Sequence, residues 1–137
     1  MNKSTLVFSD YDVERLEDIL EGYRFTESKR GRFDALAEEL GKGKVVAANK
    51  VSPDVVTLNS RIMMRDLDKN TQMEVTLVLP AHADFAAGRL SVISPIGTAV
   101  LGYAVGDEIK WQVQAGVKRL RIEQILYQPE SAGDYHL

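Results

Sequence analysis

The spacing of apolar residues changes near Pro53, and this change limits the folds that the chain can adopt. Before Pro53, apolar residues recur three or four positions apart, as on the buried side of an amphipathic helix. The two helical series are Val13, Leu16, Leu20 and Tyr23, then Phe33, Leu36, Ala37 and Leu40. After Pro53, β-branched residues dominate and partly alternate with polar ones, as in strands with one buried face. The sequence therefore predicts an α+β chain whose helices precede its sheet.

Residues 1–50 are predicted to form an antiparallel helical hairpin, a short coiled coil. Ser9 followed by Asp12 has the form of a capping box at the start of the first helix. Gly22 begins the break between the two helices. The second helix is expected to reach Gly41. The sequence fits equally an end at Gly41 and a continuation to about Ala47.

Residues 51–137 are predicted to form a second domain with the element order β-β-β-α-β-β, a sheet wrapped over one short helix. The predicted strands cover residues 55–65, 72–80, 90–93, 108–114 and 118–127. Ser94, Pro95 and Gly102 bound the short helix, because serine is favoured at the N-cap, proline at the first helical position and glycine just past the end.

Composition excludes several classes of active site. The 137 residues include no cysteine, which removes disulfides, thiolate metal ligands and cysteine nucleophiles. The histidines, His82 and His136, have no second histidine at ligand spacing. Ser94 lacks the G-x-S-x-G surroundings of a hydrolase nucleophile. We therefore predict no catalytic residue, no metal ligand, no cofactor and no small-molecule substrate.

The N-terminal apolar stretch, Leu6 to Phe8, is too short for a signal peptide or a membrane span. A cytoplasmic protein without membrane contact is therefore expected.

Basic residues gather at two places although the net charge is −3. Four basic residues and one acid form the tip cluster, at the predicted tip of the hairpin: Arg24, Glu27, Lys29, Arg30 and Arg32. A second set on the last strand, the strand cluster, consists of Lys118, Arg119 and Arg121. Each cluster suits phosphate or an acidic protein surface, and each is also small enough to serve solubility alone.

Three segments carry a family resemblance: DVVTLNSRIMMRDLD at 54–68, LSVISPIGTAVLGYAVGD at 90–107 and ILYQPESAGDYHL at 125–137. Together they closely resemble the bacterial regulators of nucleoside diphosphate kinase, small relatives of the Gre-type transcript-cleavage elongation factors. The resemblance covers nearly the whole chain. It implies an N-terminal coiled coil and a C-terminal domain like the FK506-binding-protein fold, which grips the rim of the secondary channel of RNA polymerase.

The resemblance also implies where the polymerase is contacted, in the segment just before the short helix. The matching positions are Ile93, Ser94, Pro95, Ile96 and Gly97. Pro95 matches the family's contact proline, whereas Ile93 stands where some Gre factors carry an acidic residue. A helix start alone also accounts for Ser94 and Pro95, and the two interpretations are compatible because a rigid cap presents the loop.

The tip of the hairpin bears on transcript cleavage. Gre factors place acidic residues there to help hold the polymerase's second catalytic magnesium ion, but Glu27 is the only acid between residues 22 and 31. A first helix of about 14 residues spans roughly 21 Å, less than the Gre arm. The resemblance therefore implies a non-enzymatic regulator that competes with Gre factors without stimulating cleavage.

Two other functions are open at this point. The chain is alternatively a DNA-binding elongation factor, with weak nucleic-acid contact through the tip or strand cluster. It is alternatively an enzyme like the peptidyl-prolyl isomerases, with Tyr103, Trp111 and Tyr127 lining an apolar cleft.

Overall fold

The computed structural model describes residues 6–23, 37–38, 40–113 and 116–134, and shows a mixed helix and sheet chain, in agreement with the predicted α+β class. The helices are α1 (Asp10–Tyr23), α2 (Pro95–Val100) and α3 (Pro129–Ala132). The strands are β1 (Val7–Ser9), β2 (Lys44–Val46), β3 (Arg61–Asp66), β4 (Thr71–Val78), β5 (Arg89–Ser91), β6 (Glu108–Val113) and β7 (Gly116–Tyr127). Three 3-10 turns lie at Ala48–Lys50, Pro80–His82 and Phe85–Ala87.

The first helix begins where its sequence predicts. Ser9 Oγ accepts a hydrogen bond from the Asp12 N–H at 3.0 Å, so the predicted serine cap is confirmed. Leu16 is fully buried, and Leu20 packs against the same core. Residues 37–38 and 40–42 are also helical. The rest of the predicted second helix, and the predicted break between the helices beyond Tyr23, lie outside the described residues.

The short strand β1, before α1, pairs in parallel with β2, which begins at Lys44. The sequence did not predict this pairing. Helical backbone ends at residue 42, so a continuation of the second helix to about Ala47 is wrong. Gly43 precedes β2, and a Cβ at this position would overlap the ring of Phe8, which is buried. The close approach of backbone to ring requires a glycine here.

The main sheet has five strands in the order β5-β4-β3-β7-β6. Strands β4 and β5 are parallel, and the other neighbours are antiparallel. From β3 onward the elements follow the predicted order β-β-β-α-β-β, with α2 as the short helix. The additional helix α3, after β7, was not predicted.

Residues 57–60, predicted as part of a strand, form a turn instead. The Thr57 N–H donates to Ser60 Oγ at 2.9 Å, and the Ser60 N–H donates to the Thr57 carbonyl at 3.0 Å. Asn59 between them has a φ of 67°. Hydroxyl side chains that bond the nearby backbone compete with strand pairing, so β3 begins only at Arg61.

One face of the main sheet forms the core, because side chains alternate along a strand. Fully buried side chains on this face are Ile62, Met64, Leu77, Leu120 and Ile122. Phe8 and Leu16 belong to the same cluster, so the start of the chain packs against the sheet. The opposite, outer face carries arginines, among them Arg61 and Arg65.

Candidate functional site

The segment between β5 and α2 is held by hydrogen bonds of its own hydroxyl groups. Ser94 Oγ accepts from the Gly97 N–H at 3.0 Å and donates to the Ser91 carbonyl at 2.7 Å. Thr98 Oγ1 donates to the Val92 carbonyl at 2.8 Å. The predicted serine cap of α2 is therefore confirmed, and the residues on both sides of Pro95 are fixed.

Gly97 brings the first turn of α2 against the end of β5. A Cβ at this position would overlap the carbonyl oxygen of Ser91, a backbone atom that cannot move aside as a side chain can. A glycine is thus required for the helix to start at this distance from the strand.

The five residues predicted to contact polymerase, the contact loop of residues 93–97, differ in their exposure. Pro95 is exposed, and Ser94 and Ile96 are half-buried. Ile93 is only 6% exposed, and Gly97 is also buried. The loop therefore offers Ser94, Pro95 and Ile96 to a partner, whereas Ile93 and Gly97 hold the loop in place.

A polar cluster, here named the arm base, joins α1 to the rest of the chain. It consists of the buried residues Asp12, Thr57, Ser60 and Glu130 and the partly exposed Arg15. The Asp12 carboxylate accepts from the Leu58 N–H at 3.0 Å and pairs with Arg15 at 2.6 Å. Burial raises the pKa of Asp12, because the loss of hydration outweighs these contacts. Its bond to Leu58 spans 46 residues, so sequence reasoning identified Asp12 only as an acid at the helix start.

Glu130 brings α3 into the arm base. Thr57 Oγ1 donates to Glu130 Oε1 at 2.7 Å. Burial raises the pKa of Glu130, and the nearby charge of Asp12 raises it further. Sequence reasoning missed α3, although Pro129 at its first position and Gly133 just past its end are a recognisable signal.

The strand cluster is paired with acids on the neighbouring strand β3, on the turn that follows β3 and on β7 itself. Lys118 lies 3.3 Å from Asp66, Arg119 lies 3.0 Å from Asp68, and Arg121 lies 2.9 Å from Glu123. Hydrogen bonds from Arg65, Arg121 and Gln72 lower the pKa of Glu123 to about 2. These pairs reduce the positive charge that the strand cluster offers to nucleic acid.

Tyr103 and Tyr127, two of the three residues of the proposed isomerase cleft, do not lie in one cleft. Tyr103 is 5% exposed within the core, whereas Tyr127 borders a pocket on the outer face of the sheet. The Tyr127 hydroxyl donates to Asp134, which raises the pKa of Tyr127 to about 12. The side chain of Trp111 lies outside the described residues.

Of the remaining predicted residues, His82 borders the same pocket as Tyr127 on the outer face of the sheet. His82 is exposed in a 3-10 turn, and His136 and the whole tip cluster lie outside the described residues. Within residues 6–23, 37–38, 40–113 and 116–134, no three histidine or acidic side chains are placed to hold a metal ion. In the same part of the chain, no helix is long and apolar enough to cross a membrane.

Comparison with known protein sequences finds relatives along the whole chain. Residues 50–127 match the family model described as "Transcription elongation factor, GreA/GreB, C-term". The chain is 38% identical to the regulator of nucleoside diphosphate kinase of Escherichia coli K12 over 138 aligned positions, which cover 100% of both proteins. It is 31% identical to the transcription elongation factor GreA of Clostridium acetobutylicum over 111 residues, covering 77% of this chain and 70% of that protein.

A solved structure shares this fold. The prokaryotic transcription elongation factor GreA/GreB from Nitrosomonas europaea superposes with a TM-score of 0.75 at 36% sequence identity. The match covers 90% of this chain and 100% of that one.

Proposed function

Because this chain belongs to the GreA/GreB family of transcription elongation factors, we propose that it binds RNA polymerase at the rim of the secondary channel and competes there with other Gre-type factors. It acts without catalysing a reaction. The relatives described above are a regulator and transcription elongation factors, which supports this part of the proposal.

The single observation that carries the proposal is the exposed Pro95 on a fixed loop. Ser94 holds the backbone on both sides of Pro95 through its bonds to Gly97 and Ser91. A surface held rigid before binding loses little conformational entropy when it docks. In this proposal Ser94, Pro95 and Ile96 contact the polymerase, and Ile93 and Gly97 position them.

The charge of the tip cluster supports competition without stimulated cleavage. The described part of α1, Asp10–Tyr23, corresponds to about 21 Å at the rise of an α-helix. In the proposal the tip cluster, Arg24, Glu27, Lys29, Arg30 and Arg32, enters the channel but supplies only one carboxylate. One carboxylate among four cations is a poor partner for a magnesium ion, since the cations compete for it.

The proposal includes the division of the chain into a helical hairpin, residues 1–50, and a domain like the FK506-binding-protein fold, residues 51–137. The cap of α1 supports the first part, and the sheet with α2 supports the second. A polymerase partner places the protein in the cytoplasm.

An effect on nucleoside diphosphate kinase is a second part of the proposal. It rests on the 38% identity, over the full length, with the Escherichia coli regulator of that name. Measuring kinase activity with both purified proteins, and kinase abundance in cells lacking this protein, separates a direct effect from a transcriptional one.

Binding of fluorescently labelled chain to core RNA polymerase, followed by anisotropy, tests the contact. We expect Pro95→Ala to weaken binding about fivefold or more, as for an interface residue worth about 1 kcal/mol. Pro53→Ala is the matched control, because Pro53 is also exposed but lies outside the contact loop. Unlabelled Gre factor should displace the chain. Absence of binding, or equal loss in both variants, contradicts the proposal.

A further inference from the structure

Four side chains form a row across the outer face of the main sheet. In the strand register, Arg89 of β5 lies beside Thr76 of β4, Thr76 beside Arg61 of β3, and Arg61 beside Tyr127 of β7. Neighbouring strands are about 4.8 Å apart, so the backbones of the two arginines are separated by about 10 Å. Long side chains at this separation can converge over the threonine between them.

These two arginines are paired more loosely than the other arginines on this face. Arg61 lies 3.8 Å from Glu74, and Arg89 lies 3.5 Å from Asp84. By contrast, Arg65 lies 3.0 Å from its acid and Arg121 lies 2.9 Å from the same acid, Glu123. The side chains of Arg61 and Arg89 are 51% and 50% exposed. Long contacts between exposed groups are weak, so both guanidinium groups can turn to an incoming anion.

The row lines an open pocket of about 570 Å³, a volume within the usual range of small-molecule sites. Arg61, Arg89 and His82 make one part of its wall polar and basic, and Leu126 and Tyr127 make another part apolar. Among the described residues that line it, none is acidic. The bond from its hydroxyl to Asp134 holds Tyr127 in place.

From this placement we propose that the pocket binds a phosphorylated ligand of nucleotide size. Its phosphate groups lie between Arg61 and Arg89, because two guanidinium groups match the several oxygens of a diphosphate in paired, charge-assisted hydrogen bonds. Its ring lies against Tyr127 and Leu126, where aromatic stacking and apolar contact add affinity. The site is on the outer face of the sheet and is separate from the contact loop.

A nitrogen–proton NMR titration of the full chain with ADP, pyrophosphate and adenosine tests this site. ADP should shift the backbone amides of Asn59 and Thr76 in a saturable way and bind several-fold tighter than either pyrophosphate or adenosine. Arg61→Gln and Arg89→Gln should each weaken ADP binding about fivefold or more, since each removes a charged donor. Both side chains are half exposed, and thermal melting verifies that the variants fold.

Arg119→Gln is the matched control, because it removes the same charge from the opposite end of the same sheet face. It should change ADP affinity less than about twofold. The proposal is overturned if ADP shows no saturable binding up to about 10 mM, or if Arg119→Gln weakens binding as much as the pocket variants. Pyrophosphate binding as tight as ADP also overturns it, since the apolar wall would then contribute nothing.

Discussion

Two helices of this chain begin with the same hydrogen bond in different surroundings. Ser9 Oγ accepts from the Asp12 N–H at the start of α1, and Ser94 Oγ accepts from the Gly97 N–H at the start of α2, both at 3.0 Å. Ser9 is fully buried, whereas Ser94 is half-buried and followed by the exposed Pro95. The same serine cap thus anchors α1 in the protein interior and holds an exposed surface in place at the start of α2.

The residue three positions after each serine explains the difference. At α1 this residue is Asp12, whose carboxylate pairs with Arg15 on the same helix and accepts a hydrogen bond from the Leu58 N–H. The bond to Leu58 fixes the helix to the backbone in front of β3. At α2 it is Gly97, which lets the helix start directly against the Ser91 carbonyl. Mutations at the anchor should therefore affect stability most, and mutations at the loop should affect polymerase binding most.

Asp12→Ala should show the largest loss of stability. It leaves the Leu58 N–H without its acceptor and Arg15 without its buried partner, so we expect the free energy of unfolding to fall by about 3 kcal/mol. Urea denaturation measures this change. Asp10→Ala is the control, since Asp10 is an exposed acid in the same first turn, and it should cost less than about 1 kcal/mol. An equal decrease in the free energy of unfolding of the two variants would show that Asp12 does not anchor α1.

Removing each serine cap should have a different effect on stability and on polymerase binding. Ser9→Ala should cost about 2 kcal/mol and Ser94→Ala about 1 kcal/mol, because water can replace the lost acceptor only at the half-buried site. Urea denaturation again gives the stability, and polymerase anisotropy gives the binding. Ser94→Ala should weaken binding and Ser9→Ala should not. The reverse ranking, in either measurement, would contradict the division into anchor and contact surface.

Glu130→Gln should have the smallest effect, and that effect should depend on pH. The pKa of Glu130 in the folded chain is raised above 4.5, its ordinary value and the value expected in the unfolded chain. At a pH between the unfolded-state pKa and the folded-state pKa, Glu130 therefore keeps a proton in the folded chain that it has released in the unfolded chain. The stability contributed by protonated Glu130 is present below pH 4.5 and is lost as the pH rises through the folded pKa.

Glutamine keeps an acceptor for Thr57 without the buried charge. The variant should therefore be more stable than the wild type at pH 7 by up to about 1 kcal/mol, and equally stable near pH 4. Urea denaturation at the two pH values measures both differences. A gain of the same size at pH 4 would show that the charge of Glu130 is not its cause.

Local signals predicted more of this molecule than long-range contacts did. Ser94 and Pro95 predicted the start of α2, and Ser9 predicted the start of α1, because a cap depends only on its neighbours. The pairing of β1 with β2, and the reach of Asp12 to Leu58, join positions far apart in sequence and leave no periodic pattern. The turn at residues 57–60 was missed because the β-branched run Val55, Val56 and Thr57 leads into it and resembles a strand, whereas hydrogen bonds of the Ser60 hydroxyl group determine its backbone.

The position of this protein on core RNA polymerase, determined by cryo-electron microscopy of the complex, tests the central claim most directly. Ser94, Pro95 and Ile96 should contact the rim of the secondary channel. The hairpin should enter the channel, and its tip should stop short of the catalytic magnesium ion. A complex in which the chain binds elsewhere, or in which the contact loop faces solvent, would contradict the account.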